Sequence, residues 1–260
     1  MTTSQKFKTK PKRRKRLVTV GIAILAVVHL TDLHGASFGK NNAVLLARIN
    51  KESPNIIVVT GDMFVRGGSQ TGIDAAVRLM TDLGERYAVF FVDGGHDGYI
   101  GQLINGGEIN AAYLDYKTAE VTISDTPLAI HGIADSYFAS LSHLNLADVL
   151  DVDDSIYNIL LAHEARLSDY SKLGVNLALC GHTHGGMVRL PFAGAVFYRS
   201  TLNAGYTLWF PEARGILHLK GLIERDDTKL HISSGLGLYP APVRFFNRPE
   251  VVVVRLLPKN

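Results

Sequence analysis

Cysteine is nearly absent: Cys180 is the single one in 260 residues. An internal disulfide framework is thereby excluded, and the redox compartment is left undecided. Cys180 closes the apolar run from Val175, so a small buried side chain is expected there rather than a reactive thiol. Long apolar runs are missing as well. The stretch from Leu17 to Leu30 has 14 residues, broken by Thr19 and Gly21, whereas a membrane-spanning helix takes about 20. Its second half, Ala26 to Thr31, reads as a strand, and Leu17 to Ile24 is then too short to cross a bilayer. Acidic residues are absent from the first 16 positions, where eight lysines and arginines (Lys6 to Arg16) give +8. The remainder holds nineteen basic against twenty-four acidic residues, or −5, so the overall +3 belongs to the tail and the body is mildly acidic. No internal repeat or low-complexity segment follows.

The tail sets an expectation about location. Residues 1–16 read as a disordered basic arm, and residues 17–260 as one domain, with 17–25 a short segment that seeks a membrane surface. Attraction to anionic lipid is worth roughly 1 kcal/mol per basic residue near the surface. Peripheral association with the cell membrane is therefore expected, with the cytoplasm as the alternative. No specific nucleic-acid partner is expected, because Phe7 alone interleaves the basic residues as an aromatic. The chain is expected to be a monomer.

What the sequence does contain is alternation of strand and helix signals. Ala26–Thr31, Asn55–Thr60 and Ala88–Val92 are β-branched or aromatic runs typical of strands buried on both faces. Helices are expected over Asn41–Lys51, ended before Pro54, and over Ile73–Leu83, with Gly84 as a C-terminal cap. This βαβαβ order argues for a layered α/β core. The second half is richer in strands: Val121–Ile123, Leu128–Ile130, Ile159–Leu161, Val175–Cys180, Gly215–Lys220, Lys229–Ser233 and Val251–Leu256. Two sheets packed face to face with helices outside accommodate both halves.

Directly after the apolar runs stand clusters of histidine and aspartate. They are Asp32-Leu33-His34, Gly61-Asp62, Gly94-Gly95-His96-Asp97 and Gly181-His182-Thr183-His184, with His163 alone between the last two. Taken singly each is weak, since Gly-Asp is commonly a turn and a lone histidine a satisfied polar residue. His29, His131, His143, His218 and His231 are read in that plain way. Together, Asp32, His34, Asp62, His163, His182 and His184 stand at the ends of apolar runs, the sheet edge where α/β sites assemble. Imidazole and carboxylate are ligands that first-row divalent metals prefer.

The order D-x-H, G-D, G-N-H-[DE], H, G-H-x-H resembles the calcineurin-like metallophosphoesterase superfamily, over nearly everything from Val28 to Val254. Gly181 to Gly186 with Val188 to Pro191, and the closing Gly235 to Gly237, Pro242 to Arg244 and Asn247 to Glu250, are most similar to bacterial phosphodiesterases of the YkuE type, often membrane-associated. The resemblance implies a four-layer αββα sandwich, two mixed β-sheets flanked by helices. It implies two divalent ions (manganese, iron, zinc or cobalt): Asp32, His34 and His184 on the first, Asp62 bridging, His163 and His182 on the second. It implies a phosphodiester or pyrophosphate substrate, nucleotide- or lipid-linked, attacked in line by a metal-bridging hydroxide. His96 would protonate the leaving oxygen or stabilise charge on the phosphoryl group, with Asp97 fixing its tautomer.

One position departs from the pattern. The family's asparagine before the histidine is Gly95 here, and glycine has no side-chain oxygen to give the second ion. Occupancy of that site is expected to weaken by about 10–100-fold. The alternative to a hydrolase is therefore a metal-binding homologue with reduced or no catalysis. Arg244 is a candidate for the substrate phosphate, and Tyr206, Trp209 and Phe210 for an acyl-binding groove, although packing is the commoner fate of such aromatics. Specificity is expected in loops Gly98–Ala111 and Phe192–Pro211.

Overall fold

Residues 25–123, 125–134, 146–199, 207–240 and 242–257 are described by the computed structural model. The chain begins with β1 (Leu25–Leu30), α1 (Ala43–Glu52), β2 (Ile56–Val59), α2 (Gln70–Gly84), β3 (Ala88–Phe91), α3 (Gly98–Asn105) and β4 (Ala112–Tyr113). It continues through β5 (Lys117–Ile123), β6 (Thr126–Ile133), β7 (Tyr157–Ala162), α4 (Leu167–Tyr170) and β8 (Leu177–Cys180). Two small hairpins follow, β9 (Arg189–Leu190) with β10 (Gly194–Ala195), and β11 (Phe197–Arg199) with β12 (Thr207–Trp209). The last strands are β13 (Gly221–Arg225), β14 (Thr228–Ile232) and β15 (Val252–Leu256).

The strands form a five-stranded sheet in the order β15-β1-β2-β3-β4 and a six-stranded sheet in the order β13-β14-β8-β7-β6-β5. Both are mixed: the first runs parallel from β1 to β4 with antiparallel β15 at one edge, and the second has a parallel centre with antiparallel β13 and β5 at its two edges. Because side chains alternate across a strand, each central strand serves two cores. Val27, Ile56, Val58 and Phe90 of the first sheet meet Ile130, Ile159, Leu161, Leu177 and Leu179 of the second. On the outer face of the first sheet, Val28, Leu30, Ile57 and Phe91 pack against Leu46 and Ile49 of α1, Leu79 and Leu83 of α2 and Ile100 of α3. On the outer face of the second, Leu160, Ala178 and Cys180 pack against Tyr170 and Leu173. The result is the expected αββα sandwich, although its second helical layer is thin.

Several boundaries differ from those expected. The first helix starts at Ala43, because Asn41 and Asn42 take left-handed backbone. The second starts at Gln70, where Ser69 Oγ accepts from the Gly72 N–H and caps the helix. Gly84 is not its cap but its last turn; a Cβ there would collide with the Asn110 carbonyl. The strand expected at Gly215–Lys220 is a turn, held by Ile216 N–H to the Pro211 carbonyl, and the strand comes later at β13. Gly98–Ala111 is not a loop, since most of it is α3. Residues 1–24 lie outside the described residues, so neither the basic arm nor most of the membrane-seeking stretch is seen; Leu25 is buried in β1 rather than part of that stretch. Among the described residues no helix is long and apolar enough to cross a membrane.

Candidate metal centre

The parallel strands of both sheets end at one edge of the sandwich, and the clusters ride on those ends. β1 delivers Asp32 and His34, β2 delivers Asp62, β7 delivers His163, and β8 delivers His182 and His184. Five of these six residues hold left-handed backbone, with φ of 53° (Asp32), 47° (His34), 54° (Asp62), 69° (His182) and 50° (His184). Such conformations cost a residue with a side chain on the order of 1 kcal/mol or more, and they persist where the surroundings impose them. Here each sharp turn reverses the chain at the strand terminus and aims the side chain along the edge. Two glycines make room for them. A Cβ at Gly94 would collide with the Asp62 carboxylate, and one at Gly181 with Thr31 and the Asp32 carboxylate.

Two triads of ligand atoms result, each within 4.8 Å: Asp32, His34 and His184, and Asp62, His163 and His182. Asp62 stands between them, its Oδ2 3.2 Å from His163 Nε2 and 3.7 Å from His34 Nε2. Asp32 Oδ1 is 3.4 Å from His184 Nε2 and 3.9 Å from His34 Nε2. The ring of His163 is oriented by its own hydrogen bond: Nδ1–H donates to the Thr60 carbonyl at 2.6 Å. A neutral His163 therefore turns the lone pair of Nε2 toward the carboxylates, as a metal ligand does. The Nε2 atoms of His34 and His184 are 3.0 Å apart.

Burial decides the charge state of this group. It pushes the pKa of His34 down to about 4 and that of His182 to about 3, and takes His184 well below its ordinary value. Burial likewise pushes Asp32 up to about 6. For Asp62 burial acts upward too, but His163 and His34 beside it outweigh burial and hold the carboxyl well below the usual range. Imidazoles that resist protonation thus face carboxylates. Divalent cations fit this donor set, which combines nitrogen and oxygen ligands and lacks compensating protons.

His96 and Asp97 follow β3, and only His96 reaches the site. Its ring lies 5.4 Å from that of His34, its backbone N–H donates to Asp62 Oδ1 at 3.0 Å, and with His34 and Asp62 it forms a third cluster of ligand atoms. Its Nδ1 accepts from the Arg66 backbone N–H at 2.9 Å. Asp97 does not orient this ring, contrary to expectation. Its buried carboxylate accepts from the backbone N–H groups of Asp62, Met63 (2.7 Å) and Gly94 (3.0 Å), and so clamps the β2 and β3 loops together. Burial and the nearby Asp62 push the Asp97 pKa up to about 8, against the three N–H donors. Gly95 is exposed beside His96, and its carbonyl accepts from Arg66 Nη2 at 2.6 Å.

Other groups join the site. Tyr239 stacks on His34 at 4.8 Å and meets His96 edge-on at 5.0 Å. Asn247 donates through Nδ2 to the His184 carbonyl at 2.6 Å, fixing that turn. Arg66, four residues past Asp62 in a glycine-bounded loop, could have been suspected from the sequence; Tyr239 could not. Arg244, suspected as a phosphate contact, does reach the centre: Nη2 is 3.3 Å from His184 Nδ1, Nε and Nη2 donate to the Gly237 carbonyl, and buried Nη1 has no protein partner. The histidines read as ordinary polar residues divide. His131 is satisfied by Thr118 and Asn158, and His29 is buried on Thr60, whereas His143 lies outside the described residues. Trp209 and Phe210 are exposed, and Tyr206 is not among the described residues.

A layered α/β sandwich with paired carboxylate–histidine triads at its strand ends defines a metallophosphoesterase. The family model for calcineurin-like phosphoesterases matches residues 25–186, and the chain belongs to that family. It is 27% identical to the metallophosphoesterase YkuE of Bacillus subtilis strain 168, over 95% of this chain and 84% of that protein. It is 28% identical to a metallophosphoesterase of Aquifex aeolicus strain VF5, over 91% of this chain and 86% of the relative. Among solved structures, GAP50, the anchor in the inner membrane complex of Plasmodium, is similar at TM-score 0.49 and 15% identity, over 90% of this chain and 81% of that one. That likeness is too remote to bear on chemistry.

Proposed function

We propose that this chain is a two-metal phosphodiesterase or pyrophosphatase acting on a nucleotide- or lipid-linked ester. The observation that carries the reading is the position of Asp62 Oδ2, between His34 of one triad and His163 of the other, as a shared carboxylate requires. Asp32, His34 and His184 would hold one ion, and Asp62, His163 and His182 the other. Divalent ions bound there neutralise phosphoryl charge and acidify water. The donor set suits manganese, iron, zinc or cobalt alike.

The protein's own groups supply the rest. With Nδ1 accepting from the Arg66 N–H, a neutral His96 carries its proton on Nε2, the nitrogen left to serve a departing oxygen. Arg244 Nη1, buried without a protein partner, is a donor for a phosphoryl oxygen. Tyr239 lies against the rings of both His34 and His96 and holds them in place.

Bis(p-nitrophenyl) phosphate with manganese tests the reading. Release of nitrophenol that stops on chelation is expected, with His96→Ala about 10²–10⁴-fold slower. No metal-dependent release above blank defeats the hydrolase. Gly95 favours a second reading, a metal-binding homologue with reduced turnover, because the glycine offers the second ion nothing. Under it, Gly95→Asn restores the rate; an unchanged rate removes the glycine as the limitation. The basic arm is proposed to bring the protein to anionic membrane as a monomer.

A further inference from the structure

Exposed apolar side chains are unevenly distributed over this molecule. Of the fifteen large hydrophobic residues exposed among the described residues, ten fall within residues 190–217 and 238–246. They include Phe192, which is fully exposed, Trp209 at 57%, and Phe245 and Phe246 at 52% and 67%. These segments form one surface. Arg189 N–H donates to the Phe245 carbonyl at 2.9 Å, Val196 N–H to Val188 and Phe210 N–H to Val196, so both hairpins and the 245 loop are joined through their backbones. Phe197 packs on Trp209 across β11 and β12, and Phe245 on Phe246. The surface is anchored on the centre itself, through Arg189 Nη1 to the Gly185 carbonyl, Arg244 beside His184, and Asn247 on the His184 carbonyl.

Charge is segregated in the same way. Residues 188–220 and 237–250 hold six lysines and arginines against two glutamates, or +4. The rest of residues 25–257 holds twelve basic against twenty-two acidic residues, or −10. Arg214 and Arg248 are exposed on the apolar side. A patch that is apolar, aromatic and cationic, on a body that is otherwise strongly acidic, matches one environment. That environment is the interface of an anionic bilayer, where aromatic rings settle at headgroup depth and arginines pair with lipid phosphate. A protein partner of ordinary interface composition would not call for this charge division, and a second copy would bring two +4 surfaces together.

We infer that the face built by residues 188–199, 207–217, 238–240 and 242–248 docks on the surface of an anionic membrane and holds the metal centre against it. This contact uses none of the residues of the basic arm. β1 delivers Asp32 from its C-terminal end, and Leu25, its first residue, lies at the opposite end of the strand. The consequence for substrate, which rests on the hydrolase reading, is a phosphoester whose phosphorus stands at the lipid headgroups. Docking brings that phosphorus to the edge carrying Asp32 and Asp62.

Trp209 is the sole tryptophan of the chain and lies on this face, so its emission reads the contact directly. The full chain is mixed with vesicles of phosphatidylglycerol and phosphatidylcholine, with and without bromine on the acyl chains, and with pure phosphatidylcholine. Expected is a blue shift on the anionic vesicles, quenching by the brominated lipid, and weakening of both with salt. Phe192→Ser and Phe246→Ser should each weaken partition about tenfold, since each removes a large apolar side chain from the interface. Sedimentation with vesicles while Trp209 emission stays unchanged would assign binding to the arm and overturn the inference. So would a lipid-free dimer in which Trp209 is already shielded. The readout needs no turnover, so its failure leaves the hydrolase reading standing, and absence of hydrolysis leaves the docking result standing.

Discussion

Asp62 is the residue on which the centre turns, because it faces histidines from both sheets and its backbone N–H is held by Asp97. Asp62→Ala is expected to lower bound metal to one ion or none per chain, read by elemental analysis of the purified variant. Retention of two ions would show that the carboxylate is not shared. Cys180 gives a second test at this scale. It is fully buried at the end of β8, and burial pushes its thiol far up. A thiol reagent should leave it unmodified in the native protein and react only on unfolding; prompt native reaction would contradict the packing of the second sheet. Gly95→Asn is expected to tighten the weaker ion by about 10–100-fold, read by a metal titration monitored calorimetrically.

At the scale of elements, the loops after β2 and β3 are one unit tied by Asp97. Asp97→Ala leaves three buried backbone N–H groups without their acceptor, and should destabilise the fold by about 3 kcal/mol or more in urea unfolding. A change below about 0.5 kcal/mol would mean that water replaces the clamp. The clamp also marks what the sequence did not disclose. Asp97 adjoins His96 in sequence, which invites a pair, but at the start of α3 its side chain turns back toward β2. Only the three-dimensional approach of two strand ends reveals that. The buried β-branched runs of β1 and β2 were legible because no other element accommodates them. α3 was not, since Gly98 and Gly101 lower helix propensity while Ile100, Leu103 and Ile104 supply the packing that overrides it. The candidate ligands stood out as a set, from their recurrence after apolar runs, whereas Tyr239 acts through contacts between distant segments.

For the whole molecule, two sheets converge so that their strand ends supply opposite halves of one centre: Asp32, His34 and Asp62 from the first, His163, His182 and His184 from the second. Ions bound across that seam would tie the sheets together in the folded state alone. Saturation at a hundred times Kd should therefore stabilise the fold by about 2.7 kcal/mol per ion. For a domain of this size that corresponds to a Tm rise of about 5 °C or more per ion. The most direct test of the account is metal stoichiometry on the purified chain, with the two halves removed in turn. Two divalent ions per chain are predicted for the unaltered protein, with His163→Ala and His34→Ala each reduced to one or fewer. A chain that binds no divalent ion at millimolar concentration, or whose stoichiometry ignores both substitutions, would contradict it.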